Sequence, residues 1–103
     1  KILSTIIFDE IDSGVSGEVA GKMGSIMKQM SSGIQVISIT HLPQIAAKGN
    51  HHYQVYKQNI EESTRTLVKE LPANERIDEI AKMLSDSRIS SSALETAREL
   101  LQN

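Results

Sequence analysis

A chain of 103 residues, 39% hydrophobic and 23% charged, has the make-up of one compact soluble domain rather than a disordered segment. A net charge of −2 and only three aromatic side chains argue against a basic, stacking surface for single-stranded nucleic acid. Without cysteine there is no disulfide, thiolate nucleophile or Cys-based zinc site, and no apolar run nears the ~20 residues that span a bilayer. A cytoplasmic chain with no membrane partner is expected. A domain this small also has a limited core, so part of its apolar surface is expected to belong to a neighbour. The chain opens at Lys1 directly before a strand, with no initiator Met, as an excised piece of a longer protein would.

Ile2 to Phe8 is a nearly unbroken β-branched and apolar run, the pattern of a strand covered on both faces in a parallel sheet. From Ser16 to about Ser31, Val19, Ala20, Met23, Met27 and Met30 recur at helical spacing with Ile26 beside them. Ser16 is placed to cap this helix, and Ser31-Ser-Gly33 to end it. The methionines read as core packing. Ile34 to Ile39 is a second β-branched run. Strand, helix, strand makes a βαβ unit, whose crossover is right-handed in about 98% of cases. Both strands then point the same way, so Asp9, Glu10 and His41 emerge at one carboxyl edge, where open α/β sheets bind ligands.

Pro43 suits the first turn of a short helix, 43–48, closed by Gly49-Asn50. His52 to Gln58 and Thr64 to Leu71 alternate and are rich in Tyr, Val and Thr, which predicts a β-hairpin with a polar connection from Asn59 to Ser63. Glu61-Glu62 and Lys57 fall at its solvated tip, and His51-His52 lead into it rather than forming a metal site. Past Pro72, Asn74 is the expected cap of a helix whose stripe is Ile77, Ile80, Ala81 and Leu84. A last helix follows, with Ser92 and Glu95 at capping-box spacing and Ala93, Leu94, Ala97, Leu100 and Leu101 facing inward.

An apolar strand ending in Asp-Glu has a physical logic in nucleotide hydrolysis. One carboxylate holds Mg²⁺ through water and the other orients or deprotonates the attacking water. The same pair also marks any place where a buried strand meets solvent, and a non-catalytic α/β interaction module stays open as the alternative. His41, at the end of the next strand, favours chemistry, because an imidazole there can donate to a γ-phosphate or to the attacking water.

Ile6-Ile-Phe-Asp-Glu10 resembles the Walker B motif of ABC-type ATPases, Asp12-Ser-Gly-Val-Ser16 takes the place of their D-loop, and Ser38-Ile-Thr-His41 resembles their switch-histidine loop. Phe8-Asp-Glu-Ile-Asp-Ser-Gly-Val-Ser-Gly17, Thr40-His-Leu-Pro-Gln-Ile-Ala46, His51-His-Tyr-Gln-Val-Tyr-Lys57 and the ending Ala97-Arg-Glu-Leu-Leu101 together are similar to the RecN family of SMC-like ATPases. The similarity covers essentially the whole chain. It implies an α/β fold: the C-terminal lobe of an ABC/SMC-type P-loop ATPase head over 1–103, a parallel βαβ core with a hairpin and two final helices.

The resemblance further implies that Asp9 binds the Mg²⁺ of ATP, that Glu10 is the catalytic carboxylate and that His41 contacts the γ-phosphate. Ser13, Gly14 and Ser16 would reach toward the second nucleotide of a homodimer that sandwiches two ATP molecules. Most ABC D-loops carry Asp where this chain has Ser16. No Gly-x-x-x-x-Gly-Lys-Ser/Thr loop and no Leu-Ser-Gly-Gly segment occurs. By resemblance both lie upstream with a coiled coil, so the N-terminal part of the same head is an implied partner and the piece alone is expected to be inactive. The implied whole is a nucleoid-associated protein that acts on DNA in double-strand-break repair by recombination. A head from another SMC or ABC ATPase is the nearer alternative.

Overall fold

A computed structural model describes residues 4–85 and 88–102. The chain runs β1 (Thr5–Asp9), α1 (Gly17–Met30), β2 (Gln35–Ile39), α2 (Pro43–Ala46), β3 (Tyr53–Ile60), β4 (Ser63–Glu70), α3 (Ala73–Leu84) and α4 (Ser91–Gln102). Ile2 and Leu3, expected to begin the first strand, lie outside the described residues. The βαβ reading holds. β1 and β2 pair in parallel, with Thr5 beside Gln35 and Asp9 beside Ile39.

Within this sheet the side chains alternate. Ile6, Phe8 and Val36 are half-buried on the face that meets α1, where Phe8 and Val36 pack against a cluster of Ala20, Met27 and Ile45. On the other face Ile7, Ile37 and Ile39 are 61%, 42% and 49% exposed. The strands are therefore not covered on both faces, as the unbroken apolar run predicts. A period of two puts half of any such run on each side of a sheet, and here only one side meets a helix.

Ser16 caps α1, its Oγ accepting from the Val19 N–H at 3.3 Å, and the chain leaves the helix at Ser31, both as expected. The inward stripe is narrower than the spacing predicts. Ala20 and Met27 are buried and Met23 packs beside them, but Val19 and Ile26 are 44% and 57% exposed. α2 is shorter than expected and joins two cores. Its Ile45 belongs to the α1 cluster, while the adjacent Ala46 and Ala47 pack with Ile80, Ala81, Ala93 and Ala97 of α3 and α4.

The hairpin forms as expected, with both strands reaching further into the connection. β3 and β4 pair antiparallel down to Ile60 beside Ser63, so only Glu61 and Glu62 turn the chain. Their φ values of 44° and 65° are those of a type I′ turn, the twist-compatible two-residue hairpin connection.

Two cap assignments change. α3 begins one residue before Asn74, with Pro72 at the cap position and no side-chain cap bond. Pro72 already fixes an extended φ of −69°, so the helix can start without Asn74. α4 is capped by Ser90, whose Oγ accepts from the Ala93 N–H at 3.1 Å, so Ser92 and Glu95 make no capping box. Three consecutive serines offer the same hydroxyl, and the one that precedes the first helical turn takes the role. The α3 and α4 stripes otherwise meet as expected, Ile80, Ala81 and Ala97 being fully buried.

Candidate active site

Parallel pairing brings the two motif loops together at the carboxyl edge. Asp9 is the last residue of β1, and it shares the outer face with Ile7, Ile37 and Ile39. Its carboxyl group is exposed and makes no hydrogen bond or ion pair among the described residues. Glu10 follows with φ 52°, a left-handed conformation that stops the strand and redirects the chain. Its N–H still donates to the Ile39 carbonyl at 2.9 Å, which makes a final rung beyond the strands.

That rung sets the separation of the loops. His41 Nδ1 lies 3.6 Å from Glu10 Oε1, with both side chains more than half exposed. The expected grouping of Glu10 and His41 is thus present as a facing carboxyl and imidazole open to solvent. Such a pair can hold a water between an acceptor and a donor.

The loop after Glu10 is a compact turn. Ser13 N–H donates to the Glu10 carbonyl at 3.4 Å and Val15 N–H to that of Asp12 at 3.3 Å. Gly14 has φ 80°, a conformation that glycine takes without a Cβ penalty. Ser13 and Gly14 are exposed at the crest of the turn. Ser16 lies at its far end, its hydroxyl engaged as the α1 cap.

The residue that sequence reasoning missed is Asp12. It is only 2% exposed, and its Oδ2 accepts from the Thr40 hydroxyl at the position before His41. The Thr40 Oγ1 in turn accepts from the Leu42 N–H at 3.0 Å. No periodicity could have found this, since an Asp within a Gly/Ser turn reads as a solvated loop residue.

His51 and His52 stand apart from this edge. His51 Nδ1 pairs with Glu70 Oε2 at 2.8 Å, and among the described residues no group of three metal-ligating side chains occurs. His52 is half-buried, and desolvation, helped by the Arg76 charge, lowers its pKa below the usual value. Arg76 closes the end of α2: its Nη2 donates to the carbonyls of Ala46 at 3.0 Å, Ala47 at 3.3 Å and Gly49. Burial lowers the pKa of that guanidinium too. No helix among the described residues is long and apolar enough to cross a membrane.

No protein-family model matches the chain. It is 48% identical over 97 residues to the DNA repair protein RecN of Rickettsia conorii, a match to 94% of this chain and 18% of that protein. To the RecN proteins of Vibrio cholerae and Haemophilus influenzae it is 40% and 39% identical over 97 and 99 residues, again 18% of each. The chain therefore spans about a fifth of the length of these relatives. In structure it is similar to a solved SMC ATPase chain from work on ATP-driven dimerization and DNA-stimulated activation. The TM-score is 0.62 at 15% identity, covering 82% of this chain and 50% of that one. The α/β arrangement is thus that of an SMC ATPase head, and identity near one half over nearly every residue places the sequence more narrowly: the chain belongs to the RecN family.

Proposed function

We propose that this chain is the C-terminal lobe of an ATPase head and supplies the hydrolytic half of its nucleotide site, in a protein that acts in recombinational repair of DNA double-strand breaks. The observation that carries the reading is the 3.6 Å approach of His41 to Glu10 at the end of a parallel pair, next to the exposed Asp9, which has no side-chain partner among the described residues. The relatives are named for DNA repair, and the structural neighbour for ATP-driven dimerization of SMC ATPases.

The donor set suits Mg²⁺ bound with a nucleotide. That ion keeps most of its waters and takes one or two carboxylates plus phosphate, so one exposed Asp9 carboxyl, without a competing partner among the described residues, fits it better than a cage of protein ligands would. When bound, Mg²⁺ would offset the charge on the phosphate oxygens. Glu10 orients the attacking water and takes its proton as the oxygen bonds to the γ-phosphorus and the bond to ADP breaks. His41, with Nδ1 toward Glu10, has its other ring nitrogen for a γ-phosphate oxygen.

The rest of the site comes from elsewhere. The N-terminal part of the same head holds the α- and β-phosphates against Asp9, and Ser13, Gly14 and Ser16 reach toward the second nucleotide across an ATP-sandwiched dimer of heads. DNA is engaged by the whole protein. In the full-length protein, Glu10→Gln keeps ATP binding and lowers kcat on the order of 10²- to 10⁴-fold, the usual contribution of a positioned base. Steady-state turnover and nucleotide binding measured side by side test this, and an unchanged kcat removes Glu10 from the role. The 103-residue chain by itself should show no turnover.

A further inference from the structure

We infer that Asp12 and Thr40 form a positioning lock that holds the two site loops in register, a role that rests on the ATPase reading above. Glu10 and Asp12 lie on the loop after β1, Ile39 ends β2 and Thr40 begins the loop after it, and the two sides are tied at two successive points. The Glu10 N–H to Ile39 carbonyl bond, 2.9 Å long, fixes how far apart the loops sit. The Thr40 hydroxyl to Asp12 bond fixes how the second loop is turned about the first. Because Thr40 Oγ1 also accepts from Leu42 N–H at 3.0 Å, the backbone is held on both sides of His41. The direction of the imbalance is informative. Asp12 Oδ1 is buried and has no partner among the described residues, although Asp12 is only 2% exposed. A buried carboxyl group with one oxygen unpaired costs stability. A residue kept only for packing would be apolar. Asp12 is explained instead by what its other oxygen restrains.

Neither Asp12 nor Thr40 needs to touch nucleotide in this account. Their effect is on the geometry of His41 over Glu10, and so on the transition state rather than on ground-state binding. The test is ATP turnover by the full-length protein, with thermal melting to confirm folding. Thr40→Val, which keeps the shape and removes the hydroxyl, should lower kcat about 10- to 100-fold, the scale of an ångström misplacement, while KM changes less than about threefold. Thr40→Ser, which restores the hydroxyl, should keep kcat within a few fold of the parent. Asp12→Ala should resemble Thr40→Val, and the double variant should be no worse than either alone, as coupled neighbours are. An unchanged kcat in Thr40→Val, or an equal loss in Thr40→Ser, overturns the lock. If Thr40→Val does not fold, Thr40→Ala carries the same two outcomes. Glu10→Gln, run in parallel, separates the failures. Lost turnover there with unchanged Thr40→Val kcat sinks the lock alone, whereas unchanged turnover in Glu10→Gln removes Glu10 from the hydrolytic role that the lock is read to serve, and absence of ATP turnover in the parent sinks the ATPase reading beneath both.

Discussion

Glu10 presents its carboxyl group from a backbone conformation that few L-residues adopt. At φ 52° the left-handed region costs about 1–2 kcal/mol, offset here by the Ile39 rung and by the turn bond from Ser13. Strain of this kind collects where a chain must aim a side chain. Residue identity made Asp9, Glu10 and His41 visible in the sequence, because each ends an apolar run that only a sheet could explain. Asp12 was invisible for the opposite reason. Its hydrogen-bond donor is Thr40, 28 positions away, and a contact at that separation leaves no local pattern. His52 carries a testable consequence of burial. Its folded-state pKa is lowered by desolvation first and the Arg76 charge second, so below its ordinary value of 6.5 the unfolded chain binds the proton more readily. The contribution is intact above pH 6.5 and is lost as pH falls from there toward the lowered folded value. Denaturation midpoints measured from pH 7.5 to 5 should therefore fall less steeply for His52→Gln than for the parent. Parallel slopes would contradict the assignment.

At the level of elements, hydrophobic spacing, with Pro43 and Gly49-Asn50 marking the short α2, recovered the strands and helices among the described residues and the order in which they come. It overstated burial, because spacing tells which side chains share a face and not whether anything covers it. Ser16 capped its helix as read, whereas Asn74 and Ser92 did not, since Pro72 and Ser90 are better placed in the chain's actual path. Gly24 shows a constraint that no spacing reveals. A Cβ there would lie 3.1 Å from the Gln44 carbonyl oxygen and 3.0 Å from Lys48 Cγ, so α1 and α2 meet backbone to backbone at this point. In a free helix Gly→Ala stabilises by roughly 0.8–1.0 kcal/mol. Here the lysine can swing away but the carbonyl cannot, and the sign reverses. Gly24→Ala should lower the melting temperature, while Gly21→Ala, with nothing within 4 Å of the added carbon, should leave it unchanged or raise it. A higher Tm for Gly24→Ala would show that the two helices separate freely.

Across the whole molecule the apolar surface is unevenly covered. α1, α2, α3 and α4 share two continuous cores, yet the outer face of the β1–β2 pair leaves Ile7, Ile37 and Ile39 in solvent. Asp9 extends that same face, so a neighbour that covers the isoleucines also meets the carboxyl group proposed to hold Mg²⁺. This one surface joins two expectations drawn from the sequence: incomplete burial in a small domain, and half of an ATP site supplied from elsewhere. In the chain by itself, Ile7 is 61% exposed and a charge there is tolerable. In the full-length protein Ile7→Asp should act as a core substitution and lower stability by roughly 2–4 kcal/mol, read by chemical denaturation. An effect under about 0.5 kcal/mol, the range of surface changes, would leave the face without its cover.

The Glu10 to Ile39 rung has one more consequence. It is the outermost hydrogen bond of the two-stranded parallel ladder, with only the side-chain tie from Thr40 to Asp12 beyond it. Ladder ends open at a far smaller free energy than whole domains do. Opening on heating is therefore expected to begin at this edge, parting Glu10 from His41 while α1 still rests on the sheet. In the full-length ATPase proposed above, turnover should then be lost at a lower temperature than the fold.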